Sequence, residues 1–166
     1  MNTGDIVILI INILIAIASG IGAYNSIRYF KKSRHITIYA QTNKALGEID
    51  EMLKRLPEAL SAASTNKKGF SSEITIREIG TEMANHLNAI MSSIPSSYSG
   101  DFRVIQKTES FDLSQYINSL IDGTAIKDDN DRKTLGRDSF DACQECLREM
   151  QEFLKKKIAD EEEKLK

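Results

Sequence analysis

The residues best suited to chemistry lie in one loop. The stretch 92–101 reads Ser-Ser-Ile-Pro-Ser-Ser-Tyr-Ser-Gly-Asp, with Arg103 and Lys107 soon after it. The hydroxyls of Ser96 and Ser97, the ring of Tyr98, the guanidinium fork of Arg103 and the ammonium of Lys107 are groups that can hold a phosphorylated or nucleotide ligand. A second loop, Lys67-Lys68-Gly69-Phe70, offers Lys67 and Lys68 in a similar setting. Both stretches also fit plain connections between helices, which carry Ser, Gly and Lys because turns need them.

Other chemistry finds little support. The 2 cysteines, Cys143 and Cys146, form a single C-x-x-C. A structural zinc site needs a second pair of ligands, and the 2 histidines, His35 and His86, stand apart. The C-x-x-C falls inside a helical pattern, so reduced thiols packed in a core are expected. Gly20-Ile21-Gly22 lies in an apolar run and cannot cradle a phosphate. Asp128-Asp129-Asn130-Asp131 has acid density, but Arg132 falls on the fifth position of a calcium loop and breaks the pattern. Neither histidine pairs with a nucleophile and an acid in the way a hydrolase requires. The expectation is a non-enzymatic protein without metal or cofactor. His35 is expected to add to headgroup contact, and His86 to be a surface or boundary residue.

The element on which the chain is organised is Ile6–Ala23, an apolar run without a charge. As a helix rising about 1.5 Å per residue it covers roughly 27 Å, close to the ~30 Å hydrocarbon core of a bilayer, and the residues to Ile27 make up the difference. Asp5 is the only charge before it, whereas Arg28, Lys31, Lys32 and Arg34 follow it closely. That asymmetry predicts an N-terminus outside the cell and a cytoplasmic remainder, at the inner (plasma) membrane. The four basic residues are expected to meet anionic headgroups, with Tyr24, Tyr29 and Phe30 at the interface. Ala16-Ile17-Ala18 before Ser19 also resembles a signal-peptide cleavage site, but the segment before the run lacks the positive charge such peptides carry.

Asn12, Ala16, Ser19 and Ala23 fall at helical spacing on one face, with Gly20 beside them. Small residues let helices approach closely in lipid, and an Asn can hydrogen-bond across the pair, so this face predicts self-association.

The chain divides into an anchor with its basic segment (1–32) and a helical domain (33–166). The 22 basic and 24 acidic residues give a net charge of −2, so no DNA binding is expected. Apolar residues spaced three and four apart mark four amphipathic helices. The first runs on from the span through Tyr39, Thr42, Leu46, Ile49, Leu53, Leu56, Leu60 and Ala63, with Pro57 expected to kink or restart it near Lys54. With Tyr39 on its core face, that face would point half a turn away from the small-residue face of the span.

The second helix begins near Ser71 and carries Ile76, Ile79 or Gly80, Met83, Leu87, Ile90 and Ile94. The third covers Phe111–Asp122, with Phe111, Tyr116, Ile117, Leu120 and Ile121 inward and Gly123 as its stop. The segment 102–109 fits either a helical turn or irregular chain. The last helix follows the acidic turn at Asp128–Asp131, whose charges would suit its dipole. It carries Phe140, Cys143, Leu147, Met150, Leu154 and Ile158, before a solvated tail from Asp160.

The fold class is therefore all-α, with one N-terminal transmembrane helix and a cytoplasmic antiparallel bundle of about four helices. Two functions fit it. One is a self-associating membrane-anchored adaptor, scaffold or regulator with a protein partner. The other is an oligomeric membrane effector gated by a small anionic or nucleotide ligand.

Overall fold

The computed structural model describes residues 3–64, 70–129 and 132–165. Lys67 and Lys68 lie outside them. The protein is helical. Its elements are α1 (Thr3–Ser64), α2 (Phe70–Ser93), α3 (Ser99–Gln106), α4 (Leu113–Asp122), β1 (Ile126–Asp129), β2 (Arg132–Leu135) and α5 (Arg137–Leu165). Among the described residues this is five helices and a small ribbon, where the sequence predicts about four helices. The added helix, α3, occupies the undecided segment, and the serine loop shrinks to 94–98 because both of its ends are helical. Phe102 explains the gain: it is fully buried and holds α3 against α5.

α1 is a single helix of 62 residues, the one element among the described residues long and apolar enough to cross a membrane. Pro57 lies inside it and does not interrupt it, so the helix is not restarted there. Pro57 sits on the exposed face, away from the packed stripe, while Leu56 and Ala59 on either side keep the packed face buried.

The packed half of α1 runs antiparallel to α2 and α5. Glu48 meets His86 and Arg55 meets Glu82 on α2, while Asp50 meets Gln151 and His35 meets Glu161 on α5. The buried stripe of α1 is Thr42, Ala45, Ile49, Met52, Leu56, Ala59 and Ala63. Leu46 and Leu53 are only half-buried and Leu60 is exposed, so the helix is rotated from the predicted register. The reason is close packing: Ala45 and Ala59 let neighbouring helices approach where a Leu would hold them off. The rotation also corrects the half-turn offset. From Asn12 to Thr42, Ala45 and Ile49 the turn is about 60–120°, nearer a quarter turn.

α2 buries Ile76, Ile79, Met83, Leu87, Ile90 and Ile94, as its spacing predicts. Gly80 is where α4 crosses: a Cβ there would stand 2.9 Å from the Cβ of Leu120 and 3.0 Å from the Ile121 amide nitrogen. α4 starts on Asp112, whose side chain accepts from the Gln115 amide, and stops at Gly123, whose φ of 79° is left-handed.

The described half of the acidic segment is not a helix cap, and Asn130 and Asp131 lie outside the described residues. Asp128 and Asp129 belong to β1, which pairs antiparallel with β2 so that Ile126 faces Leu135 and Asp129 faces Arg132. Leu135 is buried and Ile126 packs on the core, which fixes the ribbon by its apolar ends; α5 begins only at Arg137. α5 then buries Phe140, Cys143, Cys146, Leu147, Met150 and Leu154. Its end is no frayed tail: the helix continues to Leu165 and Glu161 is 1% exposed.

Candidate functional site

The end of the packed region nearest the apolar half of α1 gathers the polar groups of interest. Three elements meet there: α1 around residues 30–41, the 94–98 connection, and the last turns of α5. Pro95 and Ile94 are buried, and the Tyr98 amide donates to the Pro95 carbonyl at 2.9 Å, so the connection is a tight turn. Its two serines face α1. Between them lies an open cleft of about 430 Å³ lined by Phe30, Ser33, Arg34, Thr37, Gln41, Ser96 and Ser97 among others. Arg34 is exposed and has no carboxylate partner among the described residues.

Beside the cleft, Glu161 is buried under three donors. His35 Nδ1 lies 2.7 Å from Glu161 Oε2. The Tyr98 hydroxyl donates to Oε1 at 2.8 Å, and Lys164 Nζ donates to the same oxygen at 2.6 Å. Burial pushes the Glu161 pKa up, but the bonds from Lys164, His35 and Tyr98 outweigh it and hold the carboxyl down at about 2. Burial, with the Glu161 bond second, pushes the Tyr98 phenol up to about 12. The ring of Tyr98 packs edge-on against Phe153, and Lys157 Nζ lies 5.1 Å and 5.3 Å from the two ring centres. His35 therefore belongs to this clasp. The clasp ties α1 at its exit from the apolar run to the turn and to the end of α5.

The ligand-binding constellation expected from the sequence is divided. Ser96 and Ser97 line the cleft. Tyr98 turns away into the Glu161 clasp. Arg103 is exposed on α3, and Lys107 pairs with Asp112 Oδ2 at 3.0 Å across the α3–α4 corner. Arg34 takes the place beside the serines that Arg103 was expected to fill. No known protein family, curated protein or solved structure matches this chain.

The remaining candidates sit as follows. Arg28, Lys31 and Lys32 are exposed on α1, as are Asn12, Ala16, Ser19, Gly20 and Ala23, and nothing lies within 4 Å of a Cβ built on Gly20. His86 Nδ1 lies 2.7 Å from Glu48 Oε2 at the α1–α2 boundary. Cys143 and Cys146 are both free thiols in the core. Desolvation raises the pKa of each, that of Cys146 to about 12, the opposite of a reactive thiolate. Among the described residues no three His, Cys, Asp or Glu side chains are placed to hold a metal ion.

The clasp was missed because its members, at positions 35, 98 and 161, come from three separate elements. One signal was available. Glu161 lies on the same helical stripe as Leu147, Leu154 and Ile158, and a carboxylate on an apolar stripe demands partners. His35 likewise precedes Ile38, Thr42 and Ala45 at helical spacing.

Proposed function

We propose that the protein is a single-pass membrane protein, N-terminus outside, whose cytoplasmic antiparallel helical bundle acts without catalysis as an adaptor, scaffold or regulator, and which self-associates through the membrane. The observation that carries this reading is the two-part character of α1. From Ile10 to Ile27 its apolar side chains are all exposed, and from Thr42 onward one stripe is fully covered, with no break between. An exposed apolar stretch of that length wants hydrocarbon around it, and the basic residues 28–34 suit a cytoplasmic headgroup layer.

The small-residue face supplies the seam for a second copy. Since the packed face of α1 is turned by about a quarter turn from it, paired spans would carry their bundles side by side. The test is cross-linking in membranes. Wild type and Ile17→Leu should give a dimer or higher ladder, and Gly20→Ile should lose it. An unchanged ladder in Gly20→Ile would place the seam elsewhere.

The unbroken helix also suits the gated effector, because a rigid rod would carry movement of the bundle into the span. That reading needs a ligand that binds two states differently. A soluble anionic ligand shifting the cross-linking pattern would favour it over the scaffold.

A further inference from the structure

We propose that the cleft between α1 and the 94–98 turn seats the phosphate of an anionic phospholipid headgroup, with the Arg34 guanidinium as its fork and the Ser96 and Ser97 hydroxyls closing the other side. The inference rests on the membrane-spanning reading of α1 and adds to it a defined binding site.

Position comes first. Arg34 lies about 10 Å along the helix axis from Ile27, where the apolar run ends, and the headgroup layer is roughly 5–7 Å deep on each side of the hydrocarbon. Side chains on a helix lean toward its N-terminus, which here is the membrane side, so the long Arg34 chain reaches back into that layer. Phe30, one turn nearer the bilayer, lines the cleft on its membrane side. Its ring suits the boundary between headgroup and acyl chain.

Chemistry comes second. A guanidinium presents a planar fork that matches two phosphate oxygens, and serine hydroxyls donate to a third. The groups lining the cleft include one cation and no carboxylate. The nearby Glu161 is spent on His35, Tyr98 and Lys164 and does not compete. Arg28, Lys31 and Lys32 have no such surroundings. They are exposed on α1 and do not line the cleft, so they attract headgroups by diffuse charge. The seat would fix the α2–α3 corner to the membrane surface and so set the orientation of the bundle.

The full chain, reconstituted in phosphatidylcholine with a minority of spin-labelled phosphatidylglycerol, tests this through the motionally restricted label. Arg34→Ala, and separately Ser96→Ala with Ser97→Ala, should weaken selectivity for the anionic lipid by about tenfold, the worth of one charge-assisted hydrogen bond. Lys31→Ala should change it by about twofold or less. All four positions are exposed, so thermal unfolding should be unchanged and a folding defect is distinguishable. Equal losses in Arg34→Ala and Lys31→Ala would overturn the site in favour of diffuse attraction. Displacement of the lipid by glycerol phosphate in detergent would assign the cleft to a soluble phosphate and overturn the lipid seat. Alkaline carbonate extraction separates the two levels of the account. If the wild type is extracted, the membrane reading fails and this inference with it. If it stays while Arg34→Ala loses nothing, only the seat falls.

Discussion

Along α1, Ile13, Leu14 and Ile17 are each at least half exposed, whereas Ile49, Met52 and Leu56, some ten turns further on, are fully covered. Both halves are α-helical, and the residue types overlap. What differs is pattern. The first half is apolar on every face, and the second is apolar on one stripe with charges such as Lys44, Glu51 and Lys54 on the other. A helix without a polar, water-facing stripe suits a surrounding apolar medium. A striped helix needs a folded core.

The largest effects should come from treating the two halves alike. Ile49→Ala removes covered side-chain volume and should cost about 2–5 kcal/mol in urea unfolding of the detergent-solubilised protein. Ile13→Ala should leave that unfolding curve unchanged. Leu14→Lys should do the reverse of Ile49→Ala. At about 2.5–3.5 kcal/mol for a central cation, it should reduce membrane retention while the packed half stays folded. If Ile13→Ala destabilised the packed half, the apolar run would be part of a protein core and the contrast would be false.

Next in size is the clasp where the halves meet. Glu161→Ala should cost about 1–3 kcal/mol, because His35, Tyr98 and Lys164 lose their common acceptor. Glu162→Ala, which gives up only an exposed bond from Tyr39, should stay within about 0.5 kcal/mol. The pH dependence has a definite sign. The Glu161 carboxyl titrates at about 2 in the folded protein against an ordinary 4.5, so the unfolded chain binds its proton first. Its stabilisation is complete above about 4.5 and is lost as pH falls toward 2. Stability measured across that window should fall less steeply in Glu161→Gln than in wild type.

Smaller effects probe the packed half alone. Cys143 is fully covered, and Cys143→Ser should cost about 1–3 kcal/mol for a buried hydroxyl. Cys146→Ser should cost less, since the Cys146 thiol already faces the Ile105 carbonyl at 3.5 Å. Smallest is Tyr116→Phe. The Tyr116 hydroxyl is buried with no hydrogen-bond partner among the described residues, so its removal should leave stability unchanged or raise it by up to about 1 kcal/mol. A loss in Tyr116→Phe would reveal a bond to that hydroxyl.

The sequence was most legible where apolar spacing is regular. The α2 stripe and the Phe140–Leu154 stripe of α5 could be read directly, as could the stop at Gly123. It misled where size mattered more than polarity. Ala45 and Ala59 outrank Leu46 and Leu60 on α1 because the neighbouring helices pack close. Asp128 and Asp129 read as a helix cap because acidic residues suit a helix start, yet the strand partners Ile126 and Leu135 decide that segment. The site was half legible. Ser96 and Ser97 stood out by composition, but their basic partner, Arg34, is far away in sequence. Only the antiparallel return of α2 along α1 brings Arg34 to the serines.

The claim beneath all of this is that the apolar half of α1 crosses a bilayer and leaves residues 33–166 in the cytoplasm. Paired fusions test it most directly: a reporter active only in the cytoplasm and one active only outside, each joined after Lys166 of the full chain and assayed in isolated membranes and in intact cells. The account predicts a membrane-bound product in which the cytoplasmic reporter works and the external one is silent. Activity of the external reporter, or a soluble product whose N-terminus begins at Ser19, would contradict it.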